Sequence, residues 1–433
     1  MENPRCVLMG FFKTAISDDE IEYKMEEFQS LARAALLDVV QHSIQRRDKI
    51  EAATYIGTGK VEELKELCAD HDAATLIFNV ELSGAQIRNL SDLTGVKVID
   101  RTALILDIFA TRAKSSIAKL QVELAQYKYL LPRLKGYGSE MSDTGAGIGT
   151  RGPGEQKLEL DKRKIHDKVH DCEERLKEAE KKRDVTRRSR VKSGIKTVSL
   201  LGYTNAGKSS LMNLFVDRYP GEAEDQKVFV KDMLFATLET YHRRINFENK
   251  RSFVLSDTVG FVSDLPHSLV KAFASTLEEV TEVDLILHVV DLASDEFIKQ
   301  VKISEDIMDD LGASRENRIL VLNKIDLIAD RSAFEAKLGD SFPGYERGLD
   351  LFYLSCETGE GFEALKAEME KRLFGEIVNA SLLIPYSEGG VLQELMDLSK
   401  ILSTEYLEEG TLLQVEINAE KYKKFLKYDK NEK

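Results

Sequence analysis

Cysteine is scarce in this 433-residue chain: Cys6, Cys68, Cys172 and Cys356 stand far apart and form no C-x-x-C, so neither a zinc site nor a disulfide framework is indicated. Long hydrophobic runs are missing too, since no stretch approaches the roughly 20 apolar residues needed to cross a bilayer. The opening "CVLMGFF" is short, runs into Lys13 and lacks a small-residue cleavage site, so it reads as a first strand rather than a signal peptide. Positive charge is in deficit, with 61 Lys and Arg against 75 Asp and Glu and a net charge of −14. Nothing therefore attracts nucleic acid or anionic membrane in general, and any such contact must come from a local patch. These absences lead to the expectation of a soluble, cytoplasmic chain without a membrane span.

What is present is enough for several cores, given the length and a hydrophobic content of 42%. Residues 1–110 alternate strand-like runs ("ALLDVV", "ATLIFN", "VKVID") with helical segments such as "VEELKELCAD". That alternation predicts a small α/β domain. "GTGK" at Gly57 to Lys60 has a faint look of a phosphate loop, but it lacks the four-residue gap before a second Gly-Lys-Ser/Thr and reads as a turn into a helix.

Residues 111–194 follow another rule. Ile117, Leu120, Leu124, Tyr127 and Leu131 recur at spacings of three and four, as do Leu158, Ile165, Val169, Cys172, Leu176 and Ala179. Each set is one apolar helix face, and the two are expected to zip together as a helical hairpin, with Pro132 helping to end the first helix. Between them "GYGSEMSDTGAGIGTRGPGE", Gly136 to Glu155, is too rich in glycine to pack as regular structure and too long for a turn, leaving a mobile functional loop or a disordered tether. Its "GAGIG" follows no strand, so it is not a dinucleotide fingerprint. Arg151 to Lys196 holds 16 Lys or Arg against 10 Asp or Glu, a net of +6 that leaves −20 for the rest of the chain. The tail "KKRDVTRRSRVK" can lie along phosphate backbones or form the solvated face of a charged helix.

Residues 195–374 carry the chemistry. The strand-like "TVSLL" leads into "GYTNAGKSS" and the helical "LMNLFV", a G-x-x-x-x-G-K-S in strand, loop, helix context. Gly202, Tyr203, Thr204, Asn205, Ala206 and Gly207 would turn backbone amides onto phosphates, Lys208 would reach the β- and γ-phosphates, and the Ser209 hydroxyl, with Ser210 beside it, would ligate Mg²⁺. "LFATLET" offers Phe235, Ala236, Thr237, Leu238 and Glu239 as a loop around the γ-phosphate, with Thr237 the second hydroxyl on the metal. "RSFVLSDTVG" ends in Asp257, placed to hold Mg²⁺ through water, then Thr258, Val259 and Gly260, whose amide would meet the γ-phosphate. Lys208, Thr237 and Gly260 are the catalytic candidates. Yet the next residue is Phe261, where many GTPases carry a water-orienting glutamine, and a phenyl ring can neither orient nor deprotonate water. "RILVLNKID" brings Asn323, Lys324, Ile325 and Asp326; an aspartate there accepts from guanine N1 and N2, whereas adenine would leave it unpaired. "LFYLSCETGEG" brings Ser355, Cys356 and Glu357, where a backbone amide would meet guanine O6. A doubly wound sheet binds ligands at the carboxyl ends of its strands, and every one of these motifs falls at a strand end.

Over nearly its whole length the chain resembles the HflX family of ribosome-associated GTPases, through "YIGTGKVEEL", "DRTALILDIFATRAKSSIAKLQVELAQYKYLLPRL", "GIGTRGPGEQKLELDKR", "GYTNAGKSSL", "LFATLET" and "SDTVGFV". The resemblance implies an α/β multidomain protein: an N-terminal α/β domain, a helical hairpin, a P-loop GTPase domain, and a small C-terminal α+β domain over 375–433, from "SLLIPYSEGGVLQEL" to "TLLQVEINAEKYKKFL". It also implies GTP and GDP as ligands, binding to the large ribosomal subunit and its RNA, and a role in splitting or rescuing stalled ribosomes under stress. Two motifs depart from the family pattern. Glu239 and Thr240 stand where aspartate-proline is usual, and Cys356 replaces an alanine. Phe261 is no departure, because an apolar residue is usual there.

The reading that follows is a Mg²⁺-dependent GTP hydrolase, monomeric in solution, that engages the ribosome with its N-terminal half. Two rivals stay open: a nucleotide-gated binding module with little hydrolysis, and a GTPase activated by its own dimerisation.

Overall fold

The computed structural model describes residues 3–134, 153–192, 195–219, 241–247, 251–258, 260–262, 283–330, 342, 345 and 348–430, with side chains in 153–192 described only for 159–179, 181 and 182. Phe235 to Glu239, Val259, most of the glycine-rich stretch and the side chains of the "TRRSRVK" tail lie outside the described residues. The chain divides into two compact units. The first holds Met1–Ser189, Lys231–Glu239 and Val259–Leu277; the second holds Arg190–Val230, Thr240–Thr258 and Glu278–Lys433.

The first unit begins with β1 (Arg5–Phe12), α1 (Asp18–Ala34), β2 (Asp38–Arg46), α2 (Thr58–Asp70), β3 (Thr75–Phe78), α3 (Gly84–Thr94) and β4 (Lys97–Asp100). The four strands form a parallel sheet in the order β2-β1-β3-β4. A strand covered on both faces must be apolar throughout, and β1 is buried at every residue from Cys6 to Phe12. Val7, Met9 and Phe11 pack with Leu64 of α2 and with Leu76 and Phe78 of β3. The run "ALLDVV" is only half strand: Leu36 takes a left-handed φ of 60° and is exposed, so the chain turns there and β2 starts at Asp38. "GTGK" is a helix start, with Gly57 the cap of α2 and the Lys60 ammonium donating to Glu63 at 2.9 Å and Ser43 at 3.1 Å.

Next come α4 (Arg101–Arg112), α5 (Ser116–Arg133) and α6 (Pro153–Lys192). The hairpin seam forms from the residues whose spacing announced it: Leu120 and Leu124 of α5 pack on Cys172 and Leu176 of α6, with Ile117, Tyr127 and Val169 alongside. Lys128 and Glu173 pair across it at 2.8 Å. Pro132 sits in the last turn of α5, where its missing N–H costs one helical bond just before the helix stops. The base of α5 is fixed by Asp100, which is fully buried and accepts from Tyr129 Oη at 2.9 Å, Arg133 Nη2 at 3.1 Å and the Leu82 amide at 3.1 Å.

The second unit contains β5 (Lys196–Gly202), α7 (Lys208–Arg218), β6 (Tyr241–Phe247), β7 (Arg251–Asp257), β8 (Leu285–Asp291), α8 (Phe297–Asp310), β9 (Arg318–Asn323), β10 (Leu351–Tyr353) and α9 (Phe362–Phe374). Its six-stranded sheet runs β10-β9-β8-β5-β7-β6, parallel except for β6 against β7. Leu211, Met212 and Phe215 of α7 and Leu365 and Met369 of α9 cover one face, while Phe297 and Val301 of α8 belong to the core on the other. The sheet is therefore doubly wound with one antiparallel edge.

The chain ends in β11 (Ile377–Ile384), α10 (Gly389–Leu398), β12 (Ser399–Leu407) and β13 (Gly410–Asn418), an antiparallel sheet in the order β11-β13-β12. Ala380, Leu382, Leu413, Val415 and Ile417 face Leu395 of α10 in its core. No helix among the described residues is long and apolar enough to cross a membrane.

Candidate functional site

Four strand ends converge in the second unit. β5 ends in Gly202, β7 in Asp257 and β9 in Asn323, and the chain leaving β10 reaches Ser355 two residues on. In a parallel sheet these carboxyl ends lie along one edge. Two glycines are required by the path of the phosphate loop. Gly202 has φ 141° and a Cβ there would run into the Val289 carbonyl; Gly207 has φ 97° and a Cβ would strike the Asn323 amide. Asn205, with φ 63°, supplies another left-handed turn.

Lys208 opens α7 and is buried, its ammonium donating to the Gly202 carbonyl at 3.1 Å and the Tyr203 carbonyl at 2.6 Å. Burial pushes its pKa down to about 8, against the opposing pull of Asp257. The Ser209 hydroxyl donates to Asp257 Oδ2 at 2.6 Å, and that carboxylate is fully buried. Thr258 turns its hydroxyl back to the Leu200 carbonyl at 2.7 Å, tying the segment after β7 to β5. Thr204 is buried in the loop, and Ser210 is half-buried on α7.

Asn323 joins the two halves of the site, its amide donating to the Ala206 carbonyl at 2.9 Å and its Oδ1 accepting the Cys356 amide at 3.1 Å. The Cys356 amide, expected at a base carbonyl, is thus a donor to Asn323 in this structure. Burial and Asp326 raise the Cys356 thiol to about 12, so it stays a thiol at neutral pH. Lys324 takes φ 65° and pairs with Asp291 at 2.6 Å. Ile325 is buried, Asp326 and Glu357 are exposed, and buried Ser355 accepts the Thr358 amide at 3.1 Å. Gly260 and Phe261 belong to the first unit and are both buried, Phe261 at 2% exposure.

Sequence reading missed three residues. Asp291, the acid closing "LILHVVD", holds Lys324, and a carboxylate at a strand end was its only signal. Arg318, fully buried at the start of β9, donates to Asp309 at 2.7 Å and Ala313 O at 2.5 Å. His288 is completely buried on β8 and, among the described residues, neither ring nitrogen has a hydrogen-bond partner; burial, with Arg318 and Lys208 nearby, lowers its pKa to about 3. Among the described residues no group of three or more His, Cys, Asp or Glu could hold a metal.

A glycine-framed loop between a buried strand and a helix, with its lysine and serine facing the carboxylate of the neighbouring strand, defines a P-loop nucleotide-binding domain. Residues 197–324 match the family described as 50S ribosome-binding GTPase, residues 22–110 the GTP-binding GTPase N-terminal family, and residues 112–190 the GTP-binding GTPase middle region. The chain is 42% identical over 419 residues to a GTPase HflX of Caldanaerobacter subterraneus subsp. tengcongensis, covering 97% of this chain and 92% of that one. It is 36% identical over 413 residues to the GTPase HflX of Escherichia coli K12, covering 95% and 93%. A GTP-binding protein of Sulfolobus solfataricus, solved in complex with GDP, aligns with 84% of this chain and 98% of its own at 25% identity and a TM-score of 0.45. With relatives at this identity over almost its full length, the chain belongs to the HflX family of GTPases.

Proposed function

We propose that this protein binds GTP with Mg²⁺, hydrolyses it to GDP, and docks on the large ribosomal subunit to split or rescue stalled ribosomes in the cytoplasm. The observation that carries the reading is the meeting of Lys208, Ser209, Asp257 and Asn323 at the carboxyl edge of one sheet. The four-part division at 1–110, 111–194, 195–374 and 375–433 belongs to the same proposal, with the first two parts facing the ribosome and the protein acting as a monomer.

In this mechanism the Lys208 ammonium leaves two loop carbonyls for the β- and γ-phosphate oxygens. Ser209 and Asp257 offer a hydroxyl and a carboxylate 2.6 Å apart, hard oxygen donors of the kind Mg²⁺ takes, the carboxylate acting through water and Thr237 adding a second hydroxyl. The ion, when bound, neutralises charge on the β- and γ-phosphates. Gly260 gives its amide to the γ-phosphate. Asp326, exposed beside a positive-φ Lys324, is free to accept from guanine N1 and N2.

Phe261 cannot orient water, so intrinsic turnover is slow. Docking on the subunit supplies the missing element, with a main-chain carbonyl, a second water or a ribosomal group holding the attacking water. Such an element given in trans is worth about a thousandfold or more in rate. Multiple-turnover phosphate release with and without large subunits, together with co-sedimentation in a GTP analogue against GDP, tests the reading. Strong stimulation and analogue-dependent binding support it; equal rates in both conditions, or no sedimentation, overturn it.

A further inference from the structure

We infer that the outer edge of β12 is a docking strand for an extended, lysine- and arginine-rich segment of a partner protein. This names the kind of surface met by the C-terminal sheet and rests on the ribosome-docking reading above.

The chain treats the two edges of that sheet differently. The outer edge of β11 is covered by the chain's own end, with the Lys430 amide donating to Ser381 O at 2.9 Å and Leu382 bridging to Asp429. β12 has β13 on one side and, among the described residues, no strand on the other. An open edge presents unpaired N–H and C=O groups and is ordinarily blunted, by a short strand, a bulge or charge, against pairing with other chains. Here a bulge falls between Ile401 and Ser403, but past it the pairing with β13 is regular through Leu407, and every residue from Leu402 to Tyr406 is exposed.

The side chains on this edge belong to a binding surface rather than to a solvated one. Tyr406 is 76% exposed and Leu402 47%. Tyr386, 59% exposed, donates its hydroxyl to the Leu407 carbonyl at 2.8 Å and so stands at the end of the same strand. Glu405, Glu408 and Glu409 are exposed and have no ion-pair partner among the described residues, while Lys400 is engaged by Glu416 at 3.6 Å. A strand added to this edge gains main-chain hydrogen bonds, its Lys and Arg side chains meet three carboxylates, and guanidinium groups can stack on the tyrosine faces. The same carboxylates repel a phosphate backbone or an anionic bilayer, and a second copy of the chain would bring its own three to the contact.

The test places a photoreactive phenylalanine analogue in place of Tyr406 in the full-length protein and irradiates it with purified large ribosomal subunits and a GTP analogue. An adduct on a ribosomal protein is the expected result. Glu405→Lys, Glu408→Lys and Glu409→Lys together should weaken subunit binding about tenfold at low salt and much less at high salt, with phosphate release in the absence of subunits unchanged. An adduct on RNA or on a second copy of the chain, or no adduct while the protein still co-sediments, overturns the inference. If the unsubstituted protein does not co-sediment at all, the ribosome reading is what fails. The edge is then judged by titrating heptalysine against the full chain, and equal affinity of the parent and the triple variant rejects it.

Discussion

Asn323 donates to the Ala206 carbonyl at 2.9 Å across 117 residues of sequence. Because its other side-chain atom accepts the Cys356 amide, one buried residue holds the phosphate loop and the base loop in register. Asn323→Ala removes both bonds and leaves a carbonyl without its donor, a loss of about 1–3 kcal/mol. GTP and GDP should weaken alike, by roughly 5- to 150-fold, in an equilibrium fluorescence titration. Full affinity for both nucleotides would show that the clasp is dispensable.

Lys208→Ala should leave the fold intact, since among the described residues its ammonium bonds only to carbonyls of its own loop. Binding of GTP should fall by roughly 1.5–3 kcal/mol, with a larger loss of turnover. Calorimetry and phosphate release read the two effects separately. Unchanged values in both would remove this loop from the nucleotide site.

Base choice rests on Asp326. Asp326→Asn should weaken GTP and favour xanthosine triphosphate, because an amide can donate to the xanthine carbonyl that replaces the guanine amino group. ATP should gain little. A competition assay in which the variant keeps the parent's preference for GTP would move guanine reading to another residue.

His288 gives a pH signature. Its folded pKa of about 3 lies below the ordinary 6.5, so the unfolded chain takes up a proton that the folded chain refuses. Stability from this residue is complete above about pH 6.5 and is lost as pH falls toward 3, at roughly 1.4 kcal/mol per unit. His288→Leu should remove that slope and raise the melting temperature at pH 5, because leucine has no polar atoms to leave unbonded. Melting curves with the same acid slope in both proteins would assign acid sensitivity elsewhere.

How much the sequence disclosed follows from the range over which each interaction acts. The phosphate loop is legible because glycine, lysine and serine act within nine consecutive residues. The hairpin seam is legible because Leu120, Leu124, Cys172 and Leu176 keep helical spacing in a charged background. The Asn323 clasp is hidden, since its partners Ala206 and Cys356 lie 117 and 33 residues away and meet it only once the sheet has formed. His288 is hidden for the opposite reason: its neighbours in "LILHVVD" are apolar, and nothing local says that both ring nitrogens will go without partners. Leu36 deceived because an apolar residue at a left-handed turn looks like the start of a strand.

The buried ammonium of Lys208 also bears on the kinetics of loading. With the Gly202 and Tyr203 carbonyls bonded to it, this ammonium is not a bare cation in wait for an anion. Nucleotide entry is an exchange of acceptors, in which phosphate oxygens must displace two carbonyls. A neutral ligand oxygen offers the ammonium no more than the carbonyl it would displace, whereas an anionic phosphate oxygen makes a stronger, charge-assisted bond, so the exchange is driven only by charged ligands. The lysine thereby selects for charge at the entry step, before the base is read.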